Sequence, residues 1–188
     1  MIVIIRQLLN DDYERTAKAA VRLIEKIEDR YGFDSHIKEV YCRPSSSLTA
    51  VYYSRNHYRL PGVMRIPCLP PRSRQLKEFV YHEIGHSILD NYRIRSVLKR
   101  FTKRKSDGWQ YIMDTFLFSR QTRQPGFVSG YAGICAEEDF CESLSAFLCS
   151  GGRDQKSIRY DGNNISLKSD PRLRRKLAVI NQLLKRIG

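Results

Sequence analysis

Apolar and polar positions change their spacing along the chain, and each change marks a predicted element. From Asp11 or Asp12 to about Tyr31, apolar side chains recur at helical spacing with charged residues between them. Either aspartate can serve as the N-cap, and Gly32 is a stop signal. This stretch therefore predicts an amphipathic scaffold helix without catalytic residues.

Residues 37–67 change to a strand pattern. Short β-branched or aromatic runs are separated by proline, glycine, serine and asparagine, which predicts strands joined by turns. The runs are Ile37–Cys42, Leu48–Ser54 and Val63–Ile66, and Tyr58–Leu60 can extend one of them. With a buried N-terminal strand in the apolar run Met1–Ile5, they predict a small sheet that is largely antiparallel or mixed.

A second helix is predicted from Ser73, a suitable N-cap, to about Asp90. Its apolar positions recur every four residues and form one ridge for the core. The ridge consists of Leu76, Val80, Ile84 and Ile88. Gly85 lies mid-helix, where glycine costs roughly 1 kcal/mol relative to alanine, so we expect close packing at this position.

Three further helical regions are predicted in the middle of the chain. In residues 94–101, apolar positions at helical spacing alternate with basic residues, and a second helical stretch begins at Asp107 with an apolar stripe that runs from Trp109 to Leu117. Residues 121–130 predict a loop with a turn at Pro125-Gly126. A helix then runs from about Ala136 to the glycine pair at 151–152, which is a C-terminal stop signal.

The C-terminal part predicts a scaffold region and a last helix. Ile158–Leu167 is irregular or a short hairpin. Asp170 is a suitable N-cap, and Pro171 follows at the first helical position. The polar face of the last helix is predicted to lie in solvent and carries Arg172, Arg174, Arg175, Lys176, Lys185 and Arg186.

The composition is that of a globular protein, with 41% hydrophobic and 28% charged residues. A length of 188 residues predicts one domain, 1–188, that is large enough to bury a core. The apolar N-terminal run is too short for a signal-peptide core or a membrane span, so no transmembrane segment is expected. Five cysteines without a C-x-x-C pair favour reduced thiols in a cytoplasmic protein, and a secreted effector or toxin role stays open.

The net charge of +13, from 33 Lys+Arg against 20 Asp+Glu, is high for a small domain. A charge of this size can attract nucleic acid, an anionic membrane surface or an acidic protein, and it can also serve solubility alone. The basic residues are scattered and accompany no RNA-recognition or helix-turn-helix motif. Nucleic acid is therefore a candidate partner on charge alone.

The clearest chemical motif is His82-Glu83-x-x-His86, which lies on the second predicted helix. Residues four apart lie above one another on a helix, so both imidazoles can bind one metal ion. Glu83 lies roughly 100° round the helix, where its carboxylate can act on a metal-activated water. Two histidines at this spacing by chance are the alternative, but the separate apolar ridge favours a catalytic zinc site.

A catalytic zinc site with two histidines needs a third protein ligand and an open position. No histidine follows His86, and His36 and His57 lie in the predicted sheet region without a ligand partner at useful spacing. A carboxylate is therefore the better candidate. Glu138 is the predicted ligand, with Glu142 one turn on as a partner of a ligand histidine. An acidic first turn that favours the helix macrodipole is the alternative.

The two motifs together resemble a known group of enzymes. The HExxH helix with a downstream glutamate resembles the gluzincin group of zincin metallopeptidases, and residues 48–150 resemble the catalytic domain of anthrax lethal factor and its relatives. Members of that family place a tyrosine seven residues before the ligand glutamate, which is the spacing of Tyr131 and Glu138. Their Glu-x-Phe-Ala-Glu motif is matched here with Cys141 in place of alanine.

The resemblance implies a role for each residue of the two motifs. His82, His86 and Glu138 would be zinc ligands, and Glu83 would be the general base. Tyr131 would hydrogen-bond the tetrahedral intermediate, because a phenol aimed at developing oxyanion charge stabilises the transition state.

We therefore expect an α+β, zincin-like metallopeptidase domain with a small mixed sheet, the HExxH helix and several further helices. The expected function is that of a zinc-dependent peptidase, and more specifically an endopeptidase, acting on a protein or peptide substrate. One alternative is a DNA-associated protease in crosslink repair or repressor cleavage, which the charge favours. The other is a non-enzymatic binding protein that holds a structural zinc.

Overall fold

The computed structural model describes residues 2–4, 11–43, 50–53, 62–92, 94–98, 123–152 and 155–188. The chain divides into two compact units: the first is Met1–Tyr92 with Ile187–Gly188, and the second is Arg93–Arg186. The predicted strand extension Tyr58–Leu60, His57 and most of the helical regions predicted in 94–117 lie outside the described residues. The organisation of the chain as a single domain stays a prediction.

A four-stranded sheet and two long helices form the first unit. The elements are β1 (Val3–Ile4), α1 (Asp11–Tyr31), β2 (Glu39–Arg43), β3 (Val51–Tyr53), β4 (Val63–Pro67) and α2 (Arg74–Asn91). The strand order is β1-β2-β4-β3, in which β2 is parallel to β1 and β4, and β3 is antiparallel to β4. The prediction of a mixed sheet is confirmed and the largely antiparallel alternative is wrong, because α1 forms the crossover that parallel pairing of β1 and β2 requires.

One face of the sheet belongs to the core of the first unit. Val40 pairs with Met64 in the parallel register, and both side chains are fully buried, as is Ile66 two residues further on. The helices α1 and α2 contact each other and the sheet. Tyr41 and Arg65, which pair on the opposite face, are only half-buried. This alternation is the period of two that the sequence shows in its strands.

A close backbone approach fixes the start of β4. Gly62 has φ +83, and a Cβ atom built on it would lie 2.1 Å from the carbonyl oxygen of His36. The Lys38 amide donates to the Gly62 carbonyl at 2.8 Å. Only glycine fits this position, because any side chain would collide with the backbone of the loop before β2.

The second unit contains helices and a β-hairpin. Its described elements are α3 (Arg95–Leu98), a 3-10 turn (Tyr131–Gly133), α4 (Ala136–Cys149), β5 (Ser157–Tyr160), β6 (Asn163–Ser166) and α5 (Pro171–Ile187). The predicted N-cap of the last helix is confirmed, since the Leu173 amide donates to Asp170 Oδ1 at 3.1 Å. Among the helices of both units that the structure describes, none is long and apolar enough to cross a membrane.

Helix α4 is the core element of the second unit. Every residue from Glu138 to Leu148 is buried, and the helix contacts the 3-10 turn, β5 and α3. This segment of the helix is shielded from water on all sides. Its polar side chains must therefore find partners within the protein, because an unsatisfied buried polar group costs free energy.

Lys176 is one such partner, and its predicted position in solvent is wrong. Its ammonium lies 2.6 Å from Asp139 Oδ2 on α4, donates to the Gly126 carbonyl at 2.6 Å and lies 4.1 Å from the centroid of the Phe127 ring. The helical pattern placed Lys176 among the arginines of α5, but a basic residue at the edge of that face can turn inward when a buried carboxylate lies opposite.

The turn at Gly126 is held from both sides. Its carbonyl accepts from Lys176, and its amide donates to Asp170 Oδ2 at 3.0 Å, to which Arg123 also donates. Gly126 has φ +90, a left-handed conformation that glycine adopts without strain. The loop that the sequence predicts around Pro125-Gly126 is thus fixed to α5 by hydrogen bonds.

We expect Lys176→Met to lower the free energy of unfolding by roughly 3–5 kcal/mol, because it leaves the Asp139 carboxylate buried without its cation. Lys185→Met on the same helix is the matched control, since Lys185 is exposed, and its effect should stay within about 0.5 kcal/mol. Urea denaturation of the full chain measures both values. Equal midpoints for the two variants would contradict a structural role of the buried pair.

Candidate metal centre

Two features of its sequence fix helix α2, which carries the HExxH residues. An N-cap defines its start, and a buried apolar ridge defines which side faces the core. Ser73 Oγ accepts a hydrogen bond from the Leu76 amide at 3.1 Å, which confirms the predicted N-cap. The predicted apolar ridge is also confirmed: Leu76, Val80, Ile84 and Ile88 are all fully buried. Burying each such side chain stabilises the fold by about 1.5–3 kcal/mol, so the rotation of α2 about its axis is fixed.

The two histidines of the motif face each other on this helix. His82 Nε2 lies 3.1 Å from His86 Nε2. Two nitrogen ligands on a tetrahedral zinc ion, each about 2.05 Å from the metal, lie about 3.3 Å apart. The observed separation is within a few tenths of an ångström of that value, so the pair can hold a metal ion without rearrangement of the backbone.

Glu83 lies beside this pair and is almost completely buried, with 4% of its surface exposed. His82 is also buried, whereas His86 is only half-buried. The helical repeat turns the Glu83 side chain by roughly 100° from that of His82, so we expect its carboxylate to the side of the histidine pair and not between the two rings. This arrangement suits a base that acts on a ligand of the metal.

A chain of hydrogen bonds ties the middle of α2 to α1. Ser87, which follows His86 in sequence, donates from its hydroxyl to the Ser35 carbonyl. The amide and hydroxyl of Ser35 both donate to Glu28 Oε1 on α1, at 2.8 and 2.6 Å. The turn of helix that carries His86 is therefore held through side chains as well as through apolar packing.

The second unit carries the other residues that the sequence predicts for the site. Glu138 is buried in the first turn of α4, with 3% of its surface exposed, and Tyr131 is half-buried in the 3-10 turn that leads into this helix. The short connection at Ile134 and Cys135 brings the turn against α4. Within the second unit, the predicted oxyanion partner and the predicted carboxylate ligand are thus carried by neighbouring elements.

Glu142 has contacts that the sequence did not indicate. Its Oε2 accepts from the Ser129 hydroxyl at 2.5 Å, and its Oε1 accepts from the Tyr160 hydroxyl at 3.1 Å. The sequence predicted Glu142 as a partner of a ligand histidine, which stays a prediction. Ser129 precedes a helical turn, and a serine there is a capping signal that could have been found. Tyr160 comes from β5, and no local signal predicts its contact.

Two of the cysteines are poor candidates for a nucleophile. Burial is the main cause that raises the pKa of Cys42 and of Cys135 to about 12. A thiol reacts as the thiolate, so at neutral pH both side chains stay protonated and inert. All five cysteines are free, which agrees with the prediction of reduced thiols.

A protein-family model described as "Putative zinc-binding metallo-peptidase" matches residues 65–187. This span is well over half of the chain. It begins within β4 and includes α2 and all the described elements of the second unit. No curated protein and no solved structure matches the chain.

We expect the purified chain to hold one zinc ion and to lose it in His82→Ala and His86→Ala, because each variant removes one of the two facing nitrogens. His36→Asn is the matched control, since His36 is half-exposed with φ 58 and asparagine tolerates this conformation. Metal analysis by mass spectrometry measures the content. Zinc should also dissociate on acidification, because protons compete with the metal ion for the nitrogen ligands. Full zinc content in both alanine variants would contradict the assignment.

Proposed function

The chain belongs to this zinc-binding metallo-peptidase family, and from that premise we propose that it hydrolyses peptide bonds in a protein or peptide substrate. The observation that carries the proposal is the pair of facing Nε2 atoms 3.1 Å apart on α2, on a helix where Glu83, the residue after His82, is also buried. A structural zinc site is normally closed by four protein ligands. A histidine pair with an adjacent buried carboxylate instead suits a catalytic site.

We assign each role in the reaction to a particular side chain. His82 and His86 bind the metal, and Glu138 is the proposed third protein ligand. A zinc ion held there would supply Lewis-acid chemistry that lowers the pKa of water to about 7 and polarises a carbonyl. Glu83 accepts the proton of the attacking water and transfers it to the leaving amine. Tyr131 donates a hydrogen bond to the oxygen on which negative charge develops.

Helix α4 carries a second candidate for the third metal ligand. Cys141 is completely buried and follows Glu138 by three residues on α4, so the two side chains project from similar sides of the helix. Zinc accepts both thiolate and carboxylate ligands. We propose Glu138 because the Tyr131 and Glu138 spacing and the glutamate motif support it, and because a third carboxylate or histidine ligand is usual for catalytic zinc in hydrolases.

Glu83→Gln should lower cleavage by at least about 100-fold and leave one zinc bound, because the amide cannot accept the proton but keeps the size of the side chain. Glu78→Gln on the same helix is the matched control and should retain activity, since Glu78 pairs with Arg74 near the protein surface. Labelling of new peptide N-termini in a treated proteome, with and without added DNA, measures cleavage.

The outcomes of this experiment distinguish a peptidase from a DNA-associated protease and from a non-enzymatic metal-binding protein. New termini produced by the wild type and by Glu78→Gln, but not by Glu83→Gln, establish the peptidase and its site preference. Cleavage that requires DNA would favour a DNA-associated protease. No cleavage from wild-type protein that holds one zinc would overturn the proposal and favour a binding role for the metal.

Cobalt substitution tests the third ligand. We expect Glu138→Ala to lose stoichiometric metal and Cys141→Ser to keep it. The cobalt form of the wild type should show no thiolate-to-cobalt charge-transfer absorption in the near ultraviolet, because carboxylate and imidazole ligands do not produce it. A strong band of this kind that disappears in Cys141→Ser would instead assign the thiolate as the ligand.

A further inference from the structure

A buried polar cluster joins three elements of the second unit around Glu142. The Glu142 carboxylate accepts hydrogen bonds from Ser129 at 2.5 Å and from Tyr160 at 3.1 Å. The Ala132 amide in turn donates to Ser129 Oγ at 3.1 Å. Ser129, Glu142, Tyr160 and Ala132 are all buried. The cluster therefore connects α4, β5 and the 3-10 turn through hydrogen bonds that are shielded from water.

The Ser129 hydroxyl is used as donor and as acceptor at the same time. It donates to a carboxylate oxygen, which gives a short hydrogen bond of the strong, charge-assisted kind. It accepts from Ala132, which is the residue directly after Tyr131. A displacement of the turn would therefore break one of these bonds, and a broken bond to a buried carboxylate is costly.

The cluster also connects the turn that carries Tyr131 to the side of α4 that carries Glu138. Glu138 and Glu142 are four residues apart on α4 and lie on the same side of the helix. Because Ser129 fixes the turn to Glu142, the backbone of Tyr131 is held against the side of α4 that carries Glu138. A three-residue 3-10 turn has few hydrogen bonds of its own to maintain such a position.

We propose that Ser129 and Glu142, supported by Tyr160, are positioning residues that hold the turn of Tyr131 for the reaction. The inference rests on the proposed function, in which the Tyr131 hydroxyl meets charge that develops in the transition state. A loosened turn leaves substrate binding largely intact and weakens an interaction made only in the transition state. Its loss therefore lowers kcat and leaves KM nearly unchanged.

The kinetic test uses Ser129→Ala and Glu142→Gln, with Ser143→Ala as the matched control. Ser143 is also buried and donates to a carboxylate, Asp139 Oδ1 at 3.3 Å, but this hydrogen bond joins two residues of α4 itself. We expect kcat to fall by about 10- to 100-fold in the first two variants, as for a small misplacement of a catalytic group, and by less than about twofold in the control.

A double-mutant cycle with Tyr131→Phe distinguishes positioning from a general structural role. If Ser129 acts through the Tyr131 hydroxyl, Ser129→Ala should change kcat by less than about twofold when that hydroxyl is already absent. The same loss in both backgrounds, or a loss that appears in KM, would overturn the proposal. Circular dichroism of each variant identifies any that fails to fold, and Tyr160→Phe then supplies a milder perturbation of Glu142.

Hydrogen exchange tests the anchoring without any cleavage assay. The Ala132 amide should exchange about tenfold faster in Ser129→Ala and in Glu142→Gln than in Ser143→Ala, because its acceptor is lost or released. Unchanged exchange in residues 130–134 would overturn the proposal. If the wild type cleaves nothing, the proposed function fails, and the exchange rates alone decide whether the cluster holds the turn.

Discussion

The site depends on two imidazole nitrogens that one helix brings to 3.1 Å from each other. Two lone pairs at this distance would repel, so a hydrogen bond or a shared metal ion would stabilise the arrangement. The helical repeat places His82 and His86 on one side of α2, and the buried apolar ridge on another side prevents the helix from rotating. The tether from Ser87 through Ser35 to Glu28 then limits the remaining movement. The first unit thus presents, on a packed helix, two imidazole nitrogens whose separation suits a shared metal ion.

The second unit has a different requirement, because the segment Glu138–Leu148 of its central helix is completely buried and still carries three acidic residues. A buried carboxylate destabilises the fold unless hydrogen bonds or cations compensate for its lost hydration. Asp139 has the Lys176 ammonium, and Glu142 has the hydroxyls of Ser129 and Tyr160. These partners come from the loop before α4 and from elements after it. The polar core therefore also fixes the loop and the hairpin around the helix.

The sequence predicts local features of this fold well and long-range ones poorly. The cap at Ser73, the ridge of α2 and the start of α4 follow from the spacing of residues within one element. The parallel order of the sheet does not, because it depends on where the chain returns after α1. The inward position of Lys176 and the two partners of Glu142 likewise depend on residues 13 or more positions away in the chain. No periodicity within a helix contains that information.

The need for a polar cluster at Glu142 follows from the element that carries Tyr131. Side chains on α2 and α4 are held in position by long helices with regular hydrogen bonds and well-packed faces. Tyr131 instead lies in a three-residue 3-10 turn, which is short and has weak internal hydrogen bonds. The proposed role of Tyr131 requires its hydroxyl to be positioned within a fraction of an ångström, and such a group needs supporting contacts from outside the turn. A buried carboxylate at position 142 makes the fold less stable than an apolar residue would. Its support of the turn gives a functional reason for this loss of stability.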